Sequence, residues 1–88
     1  MEHIMTIKHI EKKIERLGYK LVENNKLYTS FEKFEPCGKF THVVAICHKS
    51  SGKHIVQSYD KSDDTLCGLT YTEMMLFAKL MKKMWGKS

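Results

Sequence analysis

Cysteines and histidines lie close enough together in the middle of the chain to suggest a zinc site. Cys37, His42 and Cys47 are each separated by four residues, and His48 and His54 follow nearby. Zinc is bound in proteins mainly by thiolates and imidazoles. Side chains alternate between the two faces of a strand, however, so Cys47 would point away from His42 and His48. The chain also lacks a Cys-x-x-Cys pair, and we therefore predict no metal and no cofactor.

A cysteine nucleophile is the second kind of chemistry that these residue types allow. Cys47 or Cys67 would need a histidine base beside it and a positive environment that lowers the thiol pKa. No catalytic spacing in the sequence assembles such a site, so we predict no catalytic residue and no enzyme activity. We expect reduced thiols, because three cysteines at wide spacing do not suit a disulfide framework.

The apolar residues between Thr70 and Trp85 are too numerous for one face of a helix. Six of them share a stripe of about 140° on a helical wheel. These are Met74, Phe77, Ala78, Met81, Met84 and Trp85. Leu76 and Leu80 fall outside the stripe and widen the apolar surface to roughly 200°. With Met75, they form the predicted contact surface for a protein partner, since methionine-rich surfaces adapt to foreign partners. Packing against the first helix is the alternative.

Basic residues follow one face of each predicted helix. Lys8, Lys12 and Arg16 recur at steps of four on the first helix. Lys79, Lys83 and Lys87 share a face of the second helix in the same way. These six residues are the predicted contacts for DNA or RNA, provided that the net charge of +5 is gathered on one surface. The alternative is that this charge only keeps the protein in solution.

The predicted partner surface and the basic faces lie on two helices, whose bounds the residue pattern predicts together with those of the strands. Apolar residues at steps of three and four predict a first helix over residues 6–17, with Thr6 as its cap and Gly18 as its end. Thr70 followed by Glu73 predicts a capping box at the start of a second helix that runs to about Trp85, with Gly86 as its stop. Runs rich in β-branched and aromatic residues predict strands over Leu27–Phe34, Phe40–His48 and His54–Asp60. Residues 19–22 form either a short extra edge strand or an extended approach.

These elements predict an α+β fold of order αβββα, in which two helices pack on one face of a three-stranded antiparallel meander. The 88 residues, 42% of them hydrophobic and 28% charged, fit one domain. We assign residues 5–88 to this domain and residues 1–4 to a short extension. No apolar run reaches the roughly 18 residues of a membrane span, and no secretion signal is visible. We therefore expect a cytoplasmic protein that does not bind membranes. We also expect it to be a monomer or a homodimer.

The predicted topology resembles that of the double-stranded-RNA-binding domain. That family binds phosphates through a lysine cluster at the start of its second helix. This chain has Leu69-Thr70-Tyr71-Thr72-Glu73 at that position, with no lysine before Lys79. The resemblance therefore covers the order of elements and does not imply RNA binding.

Several short segments are similar to small proteins of phages and prophages in Gram-positive bacteria. The similar segments are residues 17–20 (LGYK), 31–33 (FEK), 52–59 (GKHIVQSY) and 68–73 (GLTYTE). This resemblance implies a protein that blocks or modulates a host macromolecule, as anti-CRISPR proteins do. We therefore predict a non-enzymatic phage-type protein that binds a host protein, for which an inhibitor of a defence nuclease is one candidate. The alternative is an accessory protein that binds nucleic acid through a basic helix face.

Overall fold

The computed structural model describes residues 6–48 and 54–85. These residues form two helices and four strands. The elements are α1 (Ile7–Arg16), β1 (Lys20–Asn24), β2 (Tyr28–Glu35), β3 (Phe40–His48), β4 (His54–Asp60) and α2 (Tyr71–Trp85). The α+β class is as predicted. The predicted extension at 1–4 and the predicted helix stop at Gly86 lie outside the described residues.

The four strands form one antiparallel sheet in the order β1-β2-β3-β4, which is a meander. The segment whose state the sequence leaves open is the additional strand, β1. Leu21 pairs with Phe31 and Glu23 pairs with Ser30, so Val22 is an extra residue between the two pairs. Such a bulge bends and twists an edge strand. The predicted three-stranded sheet is thus a four-stranded one.

Both helices pack against the same face of this sheet. Phe31 of β2 and Val44 of β3 are paired in register, so their side chains point to one face. They belong to a single buried cluster with residues of both helices. The cluster consists of Ile10, Ile14, Tyr19, Phe31, Val44, Ile46, Leu76, Phe77 and Leu80. Each large apolar side chain that is fully buried stabilises the fold by about 1.5–3 kcal/mol. Within the described residues, no helix is long and apolar enough to cross a membrane.

The predicted helix ends are confirmed at three positions. The Thr6 side chain accepts a hydrogen bond of 3.2 Å from the His9 N–H at the start of α1. Thr70 and Glu73 form the capping box of α2: the Glu73 N–H donates to Thr70 Oγ1 at 3.1 Å, and the Thr70 N–H donates to Glu73 Oε1 at 2.8 Å. Gly18 has a φ of 105°, in the region that favours glycine at the end of a helix.

Candidate functional site

The predicted partner surface on α2 is wrong at two of its three residues. Leu76 is only 8% exposed and Leu80 is fully buried, and both side chains belong to the core. Met75 is 38% exposed and lies on the surface as predicted. Met74, one of the six residues of the predicted apolar stripe, is 50% exposed. Helix α2 therefore faces the core with Leu76 and Leu80, which lie outside the predicted stripe, and exposes Met74, which lies inside it.

A helical wheel shows how wide an apolar surface is, but it does not show which part faces the sheet. The buried stripe consists of Glu73, Leu76, Phe77 and Leu80, which recur at steps of three and four. Glu73 is the first residue of this stripe. Its side chain is acidic, so a pattern of apolar residues does not include it. Glu73 is buried because Tyr19 and Lys33 bind its carboxylate, and these contacts join segments that are distant in the chain.

The predicted nucleic-acid contacts are mostly accessible. Lys8, Lys12, Arg16 and Lys79 are exposed, and Lys83 is half-buried. Lys87 lies outside the described residues. None of the first five forms an ion pair with another described residue. These side chains are therefore available to an anionic partner.

The positive charge of the protein is concentrated on its two helices. The sequences of α1 and α2 contain seven basic and three acidic residues, whereas the whole chain has a net charge of +5. One of the three acidic residues, Glu73, is buried and bound to Lys33 of the sheet, with 3.0 Å between Oε2 and Nζ. We refer to the seven basic residues as the basic helix layer: Lys8, Lys12, Lys13, Arg16, Lys79, Lys82 and Lys83.

No described helix covers the other face of the sheet, and yet its centre is apolar. Val43 is 3% exposed and Ala45 is 7% exposed, although both point away from the helices. Larger side chains of the neighbouring strands surround them and form a shallow depression of about 410 Å³. Its lining includes Val22, Tyr28, Ser30, Glu32, Cys47, Gln57, Tyr59 and Lys61. We refer to these residues, with Val43, Ala45, Phe34 and Ile55 on the same face, as the uncovered sheet face.

The amino-acid sequence contains a signal for this apolar face. Residues 43–47 (VVAIC) are apolar at five consecutive positions. A strand that is buried on one face only alternates apolar and polar residues, whereas a continuous apolar run is typical of a strand buried on both faces. The same five-residue run thus supplies the core with Val44 and Ile46 and the uncovered sheet face with Val43, Ala45 and Cys47.

A buried polar network joins the first turn of α2 to the sheet. Tyr19 Oη donates to Glu73 Oε2 at 2.9 Å, and Lys33 Nζ donates to the same oxygen at 3.0 Å. Since the hydroxyl proton of Tyr19 goes to Glu73, the Tyr19 oxygen accepts from His42 Nδ1, which is 3.2 Å away. His42 Nε2 is then the acceptor for the Ser58 hydroxyl at 2.5 Å. The four side chains thus form a continuous chain of hydrogen bonds from Ser58 to Glu73.

The network shifts the pKa values of its members in opposite directions. Burial, followed by the hydrogen bond to Glu73, raises the pKa of Tyr19 far above its usual range. Burial acts to raise the pKa of Glu73 as well, but the donors on Thr70, Lys33 and Tyr19 outweigh it and hold the pKa below its usual range. Burial lowers the pKa of Lys33, but its bonds to Glu73 and Glu35 raise it further than burial lowers it. The network therefore holds an ionised pair, Lys33 and Glu73, under the helix.

The pairing of Ser58 with His42 is also the relation of a hydroxyl nucleophile to its base. Ser58 lines an open groove of about 580 Å³ beside β4, together with Leu66 and Cys67. The second nitrogen of His42 is bonded to Tyr19, whose proton is already donated to Glu73. We assign these residues to anchoring α2 on the sheet, because each proton of the chain has its acceptor within the network. The predicted absence of enzyme activity stays a prediction.

The three cysteines are free, and Cys47 does not share a face of the sheet with His48 and His54. Cys47 and Ile55 are register partners, as are His48 and His54, so Cys47 lies on the opposite face from both histidines. Burial, followed by the charges of Asp60 and Asp63, raises the pKa of Cys67, which makes this thiol less nucleophilic at neutral pH. Among the described residues, no group of three or more potential ligands is placed to hold a metal ion.

His48 and His54 form a second polar contact at the opposite end of the sheet from His42. Their Nδ1 atoms are 3.0 Å apart, and their rings are nearly perpendicular at a centroid distance of 5.0 Å. The other nitrogen of His48, Nε2, lies 2.9 Å from Thr29 Oγ1. Thr29 in turn donates to Asn24 Oδ1 at 2.8 Å. Burial, followed by the proximity of His54, lowers the pKa of His48.

Comparisons with known proteins find no relative of this chain: it matches no family model, no curated protein and no solved structure at a significant level.

Proposed function

We propose that this protein is a non-enzymatic binding protein that covers a surface of a larger protein with its uncovered sheet face. The observation that carries the proposal is the apolar centre of this face, Val43 and Ala45, on a side of the sheet that no described helix covers. A sheet with one solvated face normally has polar residues at such positions. On the same face, the apolar side chains of Val22, Phe34 and Ile55 are exposed, and exposed apolar area is typical of a protein interaction site.

The rim of the uncovered sheet face favours a protein partner over nucleic acid. Lys61 and Glu32 form an ion pair of 3.1 Å at its edge, so their charges compensate each other. Tyr28 and Tyr59 stand at the sides of the depression, and tyrosine is enriched in the central contacts of protein interfaces. Val22, Phe34 and Ile55 are 44%, 61% and 47% exposed and add apolar area that a partner would bury.

The partner is a host protein, as predicted from the sequence, but the surface that binds it is the uncovered sheet face and not α2. The likeness of four short segments to phage and prophage proteins supports a host protein as partner, and a defence nuclease remains the candidate target within this proposal. Of the three predicted contacts, Leu76 and Leu80 are unsuitable because they are buried, and only Met75 is exposed. The uncovered sheet face takes their place.

Site-directed photo-crosslinking in the bacterial host tests the proposal. A photoreactive amino acid is placed at position 55 on the uncovered sheet face, at 75 on α2, or at 27 in the turn between β1 and β2. We expect one host protein to be captured from position 55 and not from positions 27 or 75. Capture from position 75 alone would contradict the proposal and would show that the partner binds α2.

Charge substitutions then measure the contribution of the face to binding of the captured protein. Val22→Lys and Ile55→Lys replace exposed side chains at its rim, and each should weaken binding about ten-fold or more if they lie in the contact. Leu27→Lys is the matched control, since Leu27 is 71% exposed and lies in the turn instead. Equal affinities for all three variants would contradict the proposal.

The basic helix layer supports a second candidate function, the binding of DNA or RNA. Lys8, Lys12 and Arg16 stand one above the other at intervals of about 6 Å along α1. Each is exposed and without an ion pair to another described residue. Exposed cations gathered on one surface attract the phosphate backbone regardless of sequence.

Fluorescence-anisotropy titration with labelled duplex RNA and duplex DNA tests this candidate at low and at physiological salt. Three phosphate contacts would give a slope of log affinity against log salt of about −2.7. Replacing Lys8, Lys12 and Arg16 together with glutamate should abolish binding. Replacing the exposed Lys20, Lys26 and Lys39 with glutamate changes the net charge equally and should preserve most of it. An equal loss of affinity in both triple variants would mean that binding depends on the net charge of the protein and not on this face of α1.

A further inference from the structure

His48 and His54 are placed so that one metal ion can contact both of them. They are register partners on adjacent strands, β3 and β4, and their side chains lie on the same face of the sheet. Cys47, in contrast, lies on the opposite face from both histidines. Two bonds of about 2.0–2.1 Å from a metal to imidazole nitrogens, at angles of roughly 90–109°, separate the two nitrogens by about 2.8–3.4 Å. The Nδ1 atoms of His48 and His54 are 3.0 Å apart.

The hydrogen bonds behind His48 determine which of its nitrogens carries the proton. Thr29 donates its hydroxyl proton to Asn24 Oδ1 at 2.8 Å, so Thr29 Oγ1 is an acceptor toward His48. His48 Nε2, at 2.9 Å from that oxygen, must therefore be the donor. The neutral ring then has its free electron pair on Nδ1, the atom that faces His54. In the metal-free protein, His54 Nδ1 donates its proton to this electron pair.

The Thr29 contact has the form of the support that metal-binding histidines receive. A histidine ligand usually donates its other N–H to an oxygen, which fixes the ring orientation and the tautomer. Thr29 is fully buried and its hydroxyl is held by Asn24, so this oxygen is in a fixed position. One of the two nitrogens is thus already oriented as a ligand before any ion is bound.

We propose that His48 and His54 bind a divalent transition-metal ion of the Zn²⁺, Ni²⁺ or Cu²⁺ class through their Nδ1 atoms, linking the ends of β3 and β4. These ions favour imidazole ligands, and affinity for such a site rises toward Cu²⁺. Binding moves the His54 proton from Nδ1 to Nε2 without net release of a proton. Water completes the coordination shell, since the described residues supply two ligands.

Competition with a chromogenic chelator tests the proposal with Zn²⁺ as the probe and reduced full-length protein. We expect one bound Zn²⁺ per chain. His48→Gln and His54→Gln should each weaken binding by about ten-fold or more, and Thr29→Val should weaken it by about 10–100-fold through the loss of the supporting oxygen. His9→Gln is the matched control, because His9 is exposed on α1. Unchanged affinity in the His48 and His54 variants, or no binding to the unaltered protein, would overturn the proposal.

Two spectroscopic readouts keep the test independent of how well the variants fold. Nitrogen NMR of the histidine side chains should show a Zn²⁺-dependent shift of His48 Nδ1, with the proton retained on Nε2. Substitution by Co²⁺ should give a visible spectrum without the strong near-ultraviolet band of a thiolate ligand. A thiolate band, or a Zn²⁺-dependent shift confined to His9 or His42, would place the ion elsewhere and overturn the proposal.

Discussion

Tyr19 donates a hydrogen bond of 2.9 Å to the carboxylate of Glu73, which lies 54 residues further along the chain. Both side chains are buried, at 2% and 6% exposure. The contact connects the segment between α1 and β1 to the first turn of α2. Helix α2 is therefore held on the sheet by a charge-assisted hydrogen bond in addition to its apolar stripe.

Removing this hydrogen bond should destabilise the fold. Tyr19→Phe keeps the ring in the core but deletes the donor to a buried carboxylate. A hydrogen bond to a charged group contributes about 1.5–3 kcal/mol, and we expect a loss of this size in the free energy of unfolding. Urea denaturation measures it. Tyr71→Phe, at a tyrosine that is 71% exposed, is the control and should change little.

Alkaline pH should weaken the fold through the same residue. The folded pKa of Tyr19 is raised above the ordinary value of 10.0, mainly by burial. The unfolded chain therefore releases the Tyr19 proton at a lower pH than the folded one, and this part of the stability is complete below about pH 10 and is lost as pH rises above it. Denaturation curves between neutral pH and pH 11 should show the decline. If Tyr19→Phe declined equally, other groups would be responsible.

Acid should weaken the fold through Glu73. Hydrogen bonds from Thr70, Lys33 and Tyr19 outweigh burial and hold its folded pKa below the ordinary value of 4.5. This contribution is present above about pH 4.5 and is lost as pH falls through that value toward the folded pKa. Glu73→Gln retains the capping geometry and should flatten the acid limb of the stability curve. Urea denaturation curves between neutral and acid pH measure this, and an unchanged acid limb in the Glu73→Gln variant would contradict the role of Glu73.

The orientation of α2 can be tested by truncating side chains on its two sides. Leu80 is fully buried, and Leu80→Ala should cost about 2–5 kcal/mol through lost burial and the cavity that remains. Met75→Ala should have little effect, since Met75 is on the surface. Thermal and urea unfolding give both values. Similar costs at the two positions would mean that the helix is turned differently from this structure.

The end of α1 depends on a glycine. Gly18 has a φ of 105°, and an added Cβ would lie 3.0 Å from Cδ of Lys33, whose amine is bound to Glu73. We expect Gly18→Ala to cost about 1–2 kcal/mol of unfolding free energy. Gly68→Ala is the matched control, since a Cβ at Gly68 meets no atom within 4 Å. A cost at Gly68 equal to that at Gly18 would contradict the role of the backbone conformation.

The local features of this protein follow from its amino-acid sequence alone. The spacing of Ile7, Ile10, Ile14 and Leu17 defines α1, and Thr70 with Glu73 defines the start of α2, because caps and helical periodicity involve residues within a few positions of each other. The strands Phe40–His48 and His54–Asp60 are predicted at the bounds that the structure has, since β-branched and aromatic runs favour extended backbone.

Which residues meet and which remain on the surface follows from the packing of the folded chain. The pairing of β1 with β2, the burial of Leu76 and Leu80, and the meeting of Tyr19 with Glu73 all depend on contacts between segments that are distant in the chain. An amphipathic pattern gives the width of an apolar face, but the side that is buried depends on the shape of the sheet it packs against. The same holds for His48 and His54, whose nitrogens face each other because of strand register and because Thr29 of β2 orients one ring.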